Sequence, residues 1–98
     1  MKITLQESTA EAIKNEMESI PEKYQKPFNS VHEGLAVLRE EYVELENEIF
    51  FGEKKAKKDD LESDKMFGGN YKELWKERIK KEAIQVAAMA ARIIQELT

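Results

Sequence analysis

The chain of 98 residues contains no cysteine, only two prolines and only four glycines. Without cysteine there is neither a disulfide framework nor a thiolate metal site. The scarcity of proline and glycine leaves most of the chain free to form helices. Because there is no apolar run long enough to span a bilayer and no signal-peptide pattern, we expect a cytoplasmic protein without a membrane partner.

The chain also lacks an excess of basic residues. Charged residues of both signs make up 37% of it, the net charge is −4 and the isoelectric point is about 5.1. Proteins that bind nucleic acid polymers present a basic face, so that class of partner is disfavoured. A nucleotide substrate remains compatible with the acidic balance, because a bound metal ion reverses the local field.

The length of the chain fits a single domain over residues 1–98. A chain this short buries a smaller fraction of its surface than a larger domain does. It has limited room for both a core and a deep pocket. Oligomerisation is the usual remedy, and it can build a site between subunits.

Three segments with helical periodicity predict an all-α, antiparallel helical bundle. The first helix is predicted over residues 8–20, the second over 30–52 and the third over 70–97. The first two begin at capping-box patterns, in which Ser8 or Ser30 and a glutamate three residues later satisfy free backbone N–H groups.

Two connecting segments carry aromatic or charged side chains. Tyr24 and Phe28 lie between the first two helices, where they either fold back on the core or stack on a base. Residues 53–70 break the helical pattern with a lysine cluster, an acidic cluster and a glycine pair. This pattern predicts a mobile, solvated loop, which is either a simple insertion or a lid over a ligand.

The second helix has an apolar stripe with an acidic edge. Glu41, Glu44 and Glu48 form that edge, and Glu41 and Glu44 can reach one ion together because residues three apart share a face. The apolar residues recur at alternating steps of four and three, as on one face of a helix; they are Val31, Leu35, Leu38, Tyr42, Leu45 and Ile49.

Glu82 is the most unusual acidic residue of the third helix. A buried, unpaired carboxylate costs several kcal/mol or becomes protonated, so it needs a metal ion, a proton or a basic partner such as Arg78 or Arg92. An acidic edge or a single ion pair is ordinary, but the two features together favour a metal site if the stripes pack together. Glu82 lies near the centre of the stripe that is formed by Trp75, Ile79, Val86, Met89 and Ile93.

The donor atoms indicate which metal such a site would take. All-oxygen ligation suits Mg²⁺ or Mn²⁺. Zinc is disfavoured by a single histidine and no cysteine. A di-iron bundle uses Glu-x-x-His pairs, whereas Asn29 stands at that offset from His32.

At these residues the sequence resembles the MazG-like, all-α nucleoside triphosphate pyrophosphohydrolases. Their pattern is Glu-Glu-x-x-Glu, a spacer, and Glu-x-x-Asp on a later helix. The segment from Glu40 to Glu44 matches the first half, and Glu82 with the three residues after it matches the second half in part. Gln85 stands where the family has Asp, and the spacer of 37 residues is long. The resemblance covers about residues 24–50 and 72–97.

The resemblance implies a Mg²⁺-dependent hydrolase that cleaves a nucleoside triphosphate between the α and β phosphates. It implies homodimers or homotetramers with sites between subunits. By their match to the motif, Glu41, Glu44 and Glu82 would be metal ligands, and Gln85 would be a further ligand or a neighbour of the ligands.

Other site residues are predicted around this motif. Glu40 or Glu44 would orient or deprotonate the attacking water. Positions on the third helix indicate phosphate contacts, and the first connector and second helix supply base contacts; these residues are Arg78, Lys81 and Arg92 for phosphate, and Phe28 and His32 for the base.

Two other classes of function stay open. The same stripes would serve a non-catalytic helical interaction protein, with Glu82 in an ion pair. A nucleotide sensor would bind the nucleotide without cleaving it. Metal dependence separates the first class from the enzyme, and pyrophosphate release separates the second.

Overall fold

The computed structural model describes residues 3–21, 26–62 and 70–97, and every regular element in these ranges is an α-helix. The all-α prediction is confirmed at this level. None of the described helices is both long enough and apolar enough to cross a membrane. The elements are α1 over Glu7–Ser19, α2 over Val31–Glu62 and α3 over Tyr71–Glu96.

α2 is longer than its sequence pattern predicts. It passes through Gly52 and continues to Glu62, so the predicted helix end at residues 50–52 is wrong and residues 53–62 are helical. A helical glycine costs about 1 kcal/mol relative to alanine. Here it gives Trp75 room, because a Cβ at Gly52 would lie 3.2 Å from Trp75 Cδ1. Residues 63–69 of the predicted loop lie outside the described residues.

The two predicted capping boxes have different outcomes. α1 begins at Glu7, its N-cap is Gln6 and no side chain caps it, so the box predicted at Ser8 is wrong. At the start of α2, Ser30 Oγ accepts a hydrogen bond from the Glu33 N–H at 3.2 Å. That half of the box is confirmed, and it fixes where α2 begins.

α2 and α3 pack antiparallel along their length. Near the start of α2, Gly34 faces Ile93 of α3, and further along α2 Gly52 faces Trp75. α1 packs against α3. Its last turn lies beside the C-terminal part of α3, where Met17 lines a cavity with Ala88.

The interior is small, and α2 does not turn its apolar stripe toward α3. No large side chain of the described residues is fully buried. α3 instead packs on the edge of α2 that carries Gly34 and Gly52, because small residues let two helices approach closely. The expectation that the two stripes pack together is therefore wrong for four residues, which stay exposed; they are Val31 (56%), Leu35 (51%), Tyr42 (52%) and Ile49 (44%).

Phe28 folds back from the first connector onto α3. The guanidinium of Arg92 lies 4.0 Å from the centre of the Phe28 ring. The backbone N–H of Phe28 donates a hydrogen bond to Glu96 Oε1 at 2.6 Å. Arg92 also donates to the Lys26 carbonyl. Phe28 thus folds back on α2 and α3, as the packing interpretation expects, and base stacking by Phe28 stays a prediction. Tyr24 lies outside the described residues.

Candidate metal centre

The structure brings Glu41, Glu44 and Glu82 together. One carboxylate oxygen from each lies within 4.8 Å of the others. Glu41 and Glu44 are neighbours on one face of α2, and the antiparallel packing places Glu82 of α3 opposite them. Glu41 and Glu82 are half-buried and Glu44 is exposed, so the cluster is open to solvent on one side.

Burial and mutual repulsion disfavour the charged forms of these groups. Burial raises the pKa of Glu41, and the charges of Glu44 and Glu82 with a hydrogen bond to Glu44 raise it further. Burial also raises the pKa of Glu82, as do the charge of Glu44 and a hydrogen bond to it, while Lys81 opposes the shift. A cation bound among the three carboxylates would relieve this repulsion.

Gln85 lies between two of the three carboxylates. With its –NH₂ turned toward them, it donates to Glu82 Oε2 at 2.9 Å and to Glu41 Oε2 at 3.2 Å. Turned over, the same amide would present its oxygen at that place, where a cation could accept it as a ligand. Gln85 therefore orients the carboxylates without adding a negative charge of its own.

Glu48 joins this acidic edge, and the predicted ligand set does not include it. Its Oε1 is buried and has no hydrogen-bond partner among the described residues. Its charge helps to raise the pKa of Glu82, and its backbone carbonyl accepts the Trp75 indole N–H at 2.8 Å. Two sequence signals point to Glu48: its place on the acidic edge, four residues after Glu44, and Gly52 four residues later, which leaves room for the Glu48 carboxylate over the next turn.

The structure pairs both candidate arginine partners of Glu82 with other carboxylates. Arg78 forms an ion pair with Asp59 at 2.8 Å, and Arg92 lies 3.9 Å from Glu96. The structural ion pair that would have explained Glu82 is therefore not found in the described ranges. The attraction of Lys81 and the hydrogen bond from Gln85 offset part of the repulsion between Glu82 and its acidic neighbours.

The predicted phosphate contacts fall into two groups. Lys81 is exposed next to Glu82, and Arg78 lies one helical turn before it, with its side chain held by Asp59. Arg92 lies ten residues beyond Glu82, about 15 Å along α3, and its guanidinium is engaged with Phe28 and Lys26. The structure does not bring Arg92 to the carboxylates.

The predicted base contacts also lie away from the cluster. Phe28 packs beside Gly34 and under Arg92. His32 is exposed nine residues before Glu41, about 14 Å along α2. Glu40 is exposed, one turn before Glu44 and outside the group of three.

The donor set fits a hard divalent cation. Three carboxylates and one amide supply only oxygen ligands, which is the set that Mg²⁺ and Mn²⁺ prefer. The buried, unpaired Oε1 of Glu48 lies at the same edge and adds negative potential. Glu41, Glu44 and Glu82 could hold such an ion, and Gln85 could complete its coordination.

Comparison with known proteins adds no further identification. Neither the models of protein families, nor the curated proteins, nor the solved structures contain a match to this chain.

Proposed function

We propose that this protein is a Mg²⁺-dependent nucleoside triphosphate pyrophosphohydrolase that releases a nucleoside monophosphate and pyrophosphate. The convergence of Glu41, Glu44 and Glu82 within 4.8 Å is the observation that carries the proposal. These are the residues on which the resemblance to the MazG-like family rests. Two helices far apart in sequence supply them, so their spacing along the chain does not by itself bring them together.

The roles follow from position and exposure. Glu41 and Glu82 would hold the cation from the half-buried side, and the exposed Glu44 would hold it from the open side. An ion held there would supply neutralisation of charge on the phosphate oxygens. Glu40 is exposed and outside the cluster, which leaves its carboxylate available to take the proton of an attacking water. The exposed Lys81, next to Glu82 in the sequence, would contact the phosphates.

The direct test is pyrophosphate release from a panel of canonical and modified nucleoside triphosphates with Mg²⁺. We expect turnover of at least one of them, lost by at least about a hundredfold in Glu82→Gln and Glu44→Gln because the metal site fails. Glu77→Gln is the matched control, since Glu77 is exposed on the same helix and outside the cluster. Absence of turnover across the panel with both Mg²⁺ and Mn²⁺ would reject hydrolysis of those substrates.

A non-catalytic interaction protein is the second candidate, and the exposed stripe on α2 favours it. A nucleotide sensor is the third. Calorimetric binding of a nucleotide with Mg²⁺ but without pyrophosphate release would identify the sensor. Self-association that is indifferent to EDTA, with no nucleotide bound, would identify the interaction protein.

A further inference from the structure

Two adjacent phenylalanines of α2 are left open to solvent. Phe50 is 71% exposed and Phe51 is 72% exposed, and the centres of their rings lie 6.4 Å apart. Among the described large apolar residues, only Ile3 is more exposed. Single exposed apolar side chains are ordinary, whereas a group of them indicates a binding site.

Both rings line a cavity of about 490 Å³. Tyr71, the first residue of α3, lines the same cavity. The volume falls in the range of small-molecule sites, about 300 to 1000 Å³. Three aromatic side chains at one cavity suit a ligand with a flat aromatic ring, because the face of such a ring stacks on them.

Two lysines give the cavity a positive charge. Lys54 and Lys57 line it, and neither forms an ion pair with a carboxylate in the described ranges. Asp59, which pairs with Arg78, and Asp60, which is buried, do not line it. Two ammonium groups match the charge of one phosphate monoester, which is about −1.5 to −2 at neutral pH.

Glu53 is the remaining residue that lines the cavity. Its exposed carboxylate accepts hydrogen bonds but cannot donate them when it is ionised. It would repel a second phosphate and would accept hydrogen bonds from hydroxyl groups. The cavity thus combines aromatic faces, two ammonium groups and one carboxylate, which complement a base, one phosphate and the hydroxyl groups of a ribose.

We propose that this cavity binds a nucleoside monophosphate without a metal ion. The base stacks on the aromatic rings, the phosphate contacts the two lysines, and the ribose hydroxyls donate to Glu53. Lys54 and Lys57 lie 10 and 13 residues after Glu44, about 15 and 20 Å along α2. The cavity is therefore separate from the candidate metal centre, and the proposal does not depend on the proposed reaction.

Calorimetry in EDTA with the four ribonucleoside 5′-monophosphates tests the site on the whole protein. We expect one molecule of at least one of them to bind per chain, with equal affinity for the wild-type protein and Glu82→Gln. Absence of binding at about 1 mM of each would overturn the proposal. Loss of binding in Glu82→Gln would overturn it too, because the nucleotide would then lie at the carboxylates. Equally tight binding of inorganic phosphate would show that the aromatic rings take no part.

Charge reversal tests the phosphate contact. Lys54→Glu and Lys57→Glu should each weaken nucleotide binding at least about tenfold, because an attraction becomes a repulsion. Lys72→Glu is the matched control, since Lys72 is exposed next to Tyr71 but does not line the cavity. Equal effects of the three variants would show a general attraction of anions to this end of the protein and would overturn the proposed site.

Truncation of a ring tests the stacking. Phe50→Ala should weaken nucleotide binding about five- to hundredfold and should leave the binding of inorganic phosphate unchanged. Because Phe50 is largely exposed, circular dichroism should show the variant to be folded. Unchanged nucleotide affinity in the folded variant would contradict stacking on Phe50.

A nucleotide without ribose hydroxyls tests the role of Glu53. A 2′,3′-dideoxynucleoside monophosphate should bind the wild-type protein at least about tenfold more weakly than the ribonucleotide does, because hydrogen bonds to a charged group are lost. Glu53→Ala should bind the two nucleotides equally. A preference for the ribonucleotide that persists in Glu53→Ala would overturn the proposed orientation.

Discussion

Glu82→Gln is the most informative single substitution, because it removes one charge from the cluster and changes little in shape. Glu82 repels Glu41 and Glu44, and its oxygen lies within 4.8 Å of theirs. The variant should be more stable than the wild-type protein in EDTA, and it should lose the stabilisation that Mg²⁺ gives to the wild-type protein. These two opposite effects distinguish a metal site from an ordinary acidic surface.

The expected size follows from the distances. Two unit charges 4.8 Å apart repel by about 0.9 kcal/mol in water and by about 3.5 kcal/mol at an effective dielectric constant of 20. Glu44 is exposed, so the smaller value applies to its pair with Glu82. The Glu41 pair contributes at least the same amount, so removing both repulsions should raise the free energy of unfolding in EDTA by at least about 2 kcal/mol, or the melting temperature by at least about 8 °C.

Mg²⁺ should stabilise the wild-type protein but not Glu82→Gln. At ten times its dissociation constant, an ion that binds only the folded state adds about 1.4 kcal/mol, which is about 6 to 11 °C in melting temperature. Thermal unfolding followed by circular dichroism measures both terms. Trp75, the single tryptophan, lies over Gly52 beside Glu48 and reports binding by fluorescence.

The pH dependence gives a further readout in the same samples. The pKa values of Glu41 and Glu82 are raised in the folded protein, so the folded state holds their protons more tightly than the unfolded state does. This contribution to stability is complete below the unfolded pKa of about 4.3 and is lost as pH rises through the raised pKa. In EDTA, the wild-type melting temperature should therefore fall relative to that of Glu82→Gln as pH rises above about 4.3.

The reasoning fails on either of two results. If Mg²⁺ raises the melting temperature of the wild-type protein no more than it raises that of Glu82→Gln, the carboxylates do not hold the ion. If Glu82→Gln lowers the melting temperature in EDTA, the three groups do not repel each other as their geometry requires. Glu77→Gln, on the exposed side of the same helix, should match the wild-type protein throughout.

Three further substitutions test neighbouring parts of the structure. Gly34→Val should lower the free energy of unfolding by about 1 to 3 kcal/mol, because a Cβ at Gly34 already lies 3.0 Å from the Phe28 ring; the exposed control Ala36→Val should change it by less than about 0.5 kcal/mol in urea denaturation. Arg92→Ala should cost about 1 to 2 kcal/mol through its lost contacts with Phe28 and the connector; an increase in KM for the nucleotide, measured by pyrophosphate release, would instead show a phosphate contact. Gln85→Asp should lower the melting temperature in EDTA and tighten Mg²⁺ binding by calorimetry, since it adds a carboxylate beside Glu41 and Glu82; weaker binding would contradict the proposed position of the ion.

Much of the candidate site could be predicted because helical spacing fixes which residues share a face. Glu41 and Glu44 are three positions apart, so any helix there puts both on one side. Glu82 stands out because it lies between Ile79 and Val86 on the apolar stripe of α3. The same local rules place the start of α2 at Ser30, whose side chain accepts the Glu33 N–H. Local chain geometry alone determines these features.

Only the tertiary structure determines which face of α2 packs against α3. Periodicity shows that α2 has an apolar stripe, but close contact with α3 occurs where Gly34 and Gly52 lack side chains. Trp75 packs at Gly52, so the helix continues past the glycine that would otherwise mark its end.

The same contact determines where the acidic groups and the stripe lie. It turns the acidic edge with Glu48 inward and leaves the stripe exposed, because two helices approach most closely along their smallest residues. Spacing along one helix is a local property and follows from the sequence. The choice between two faces depends on the shape of another helix, which no local pattern contains.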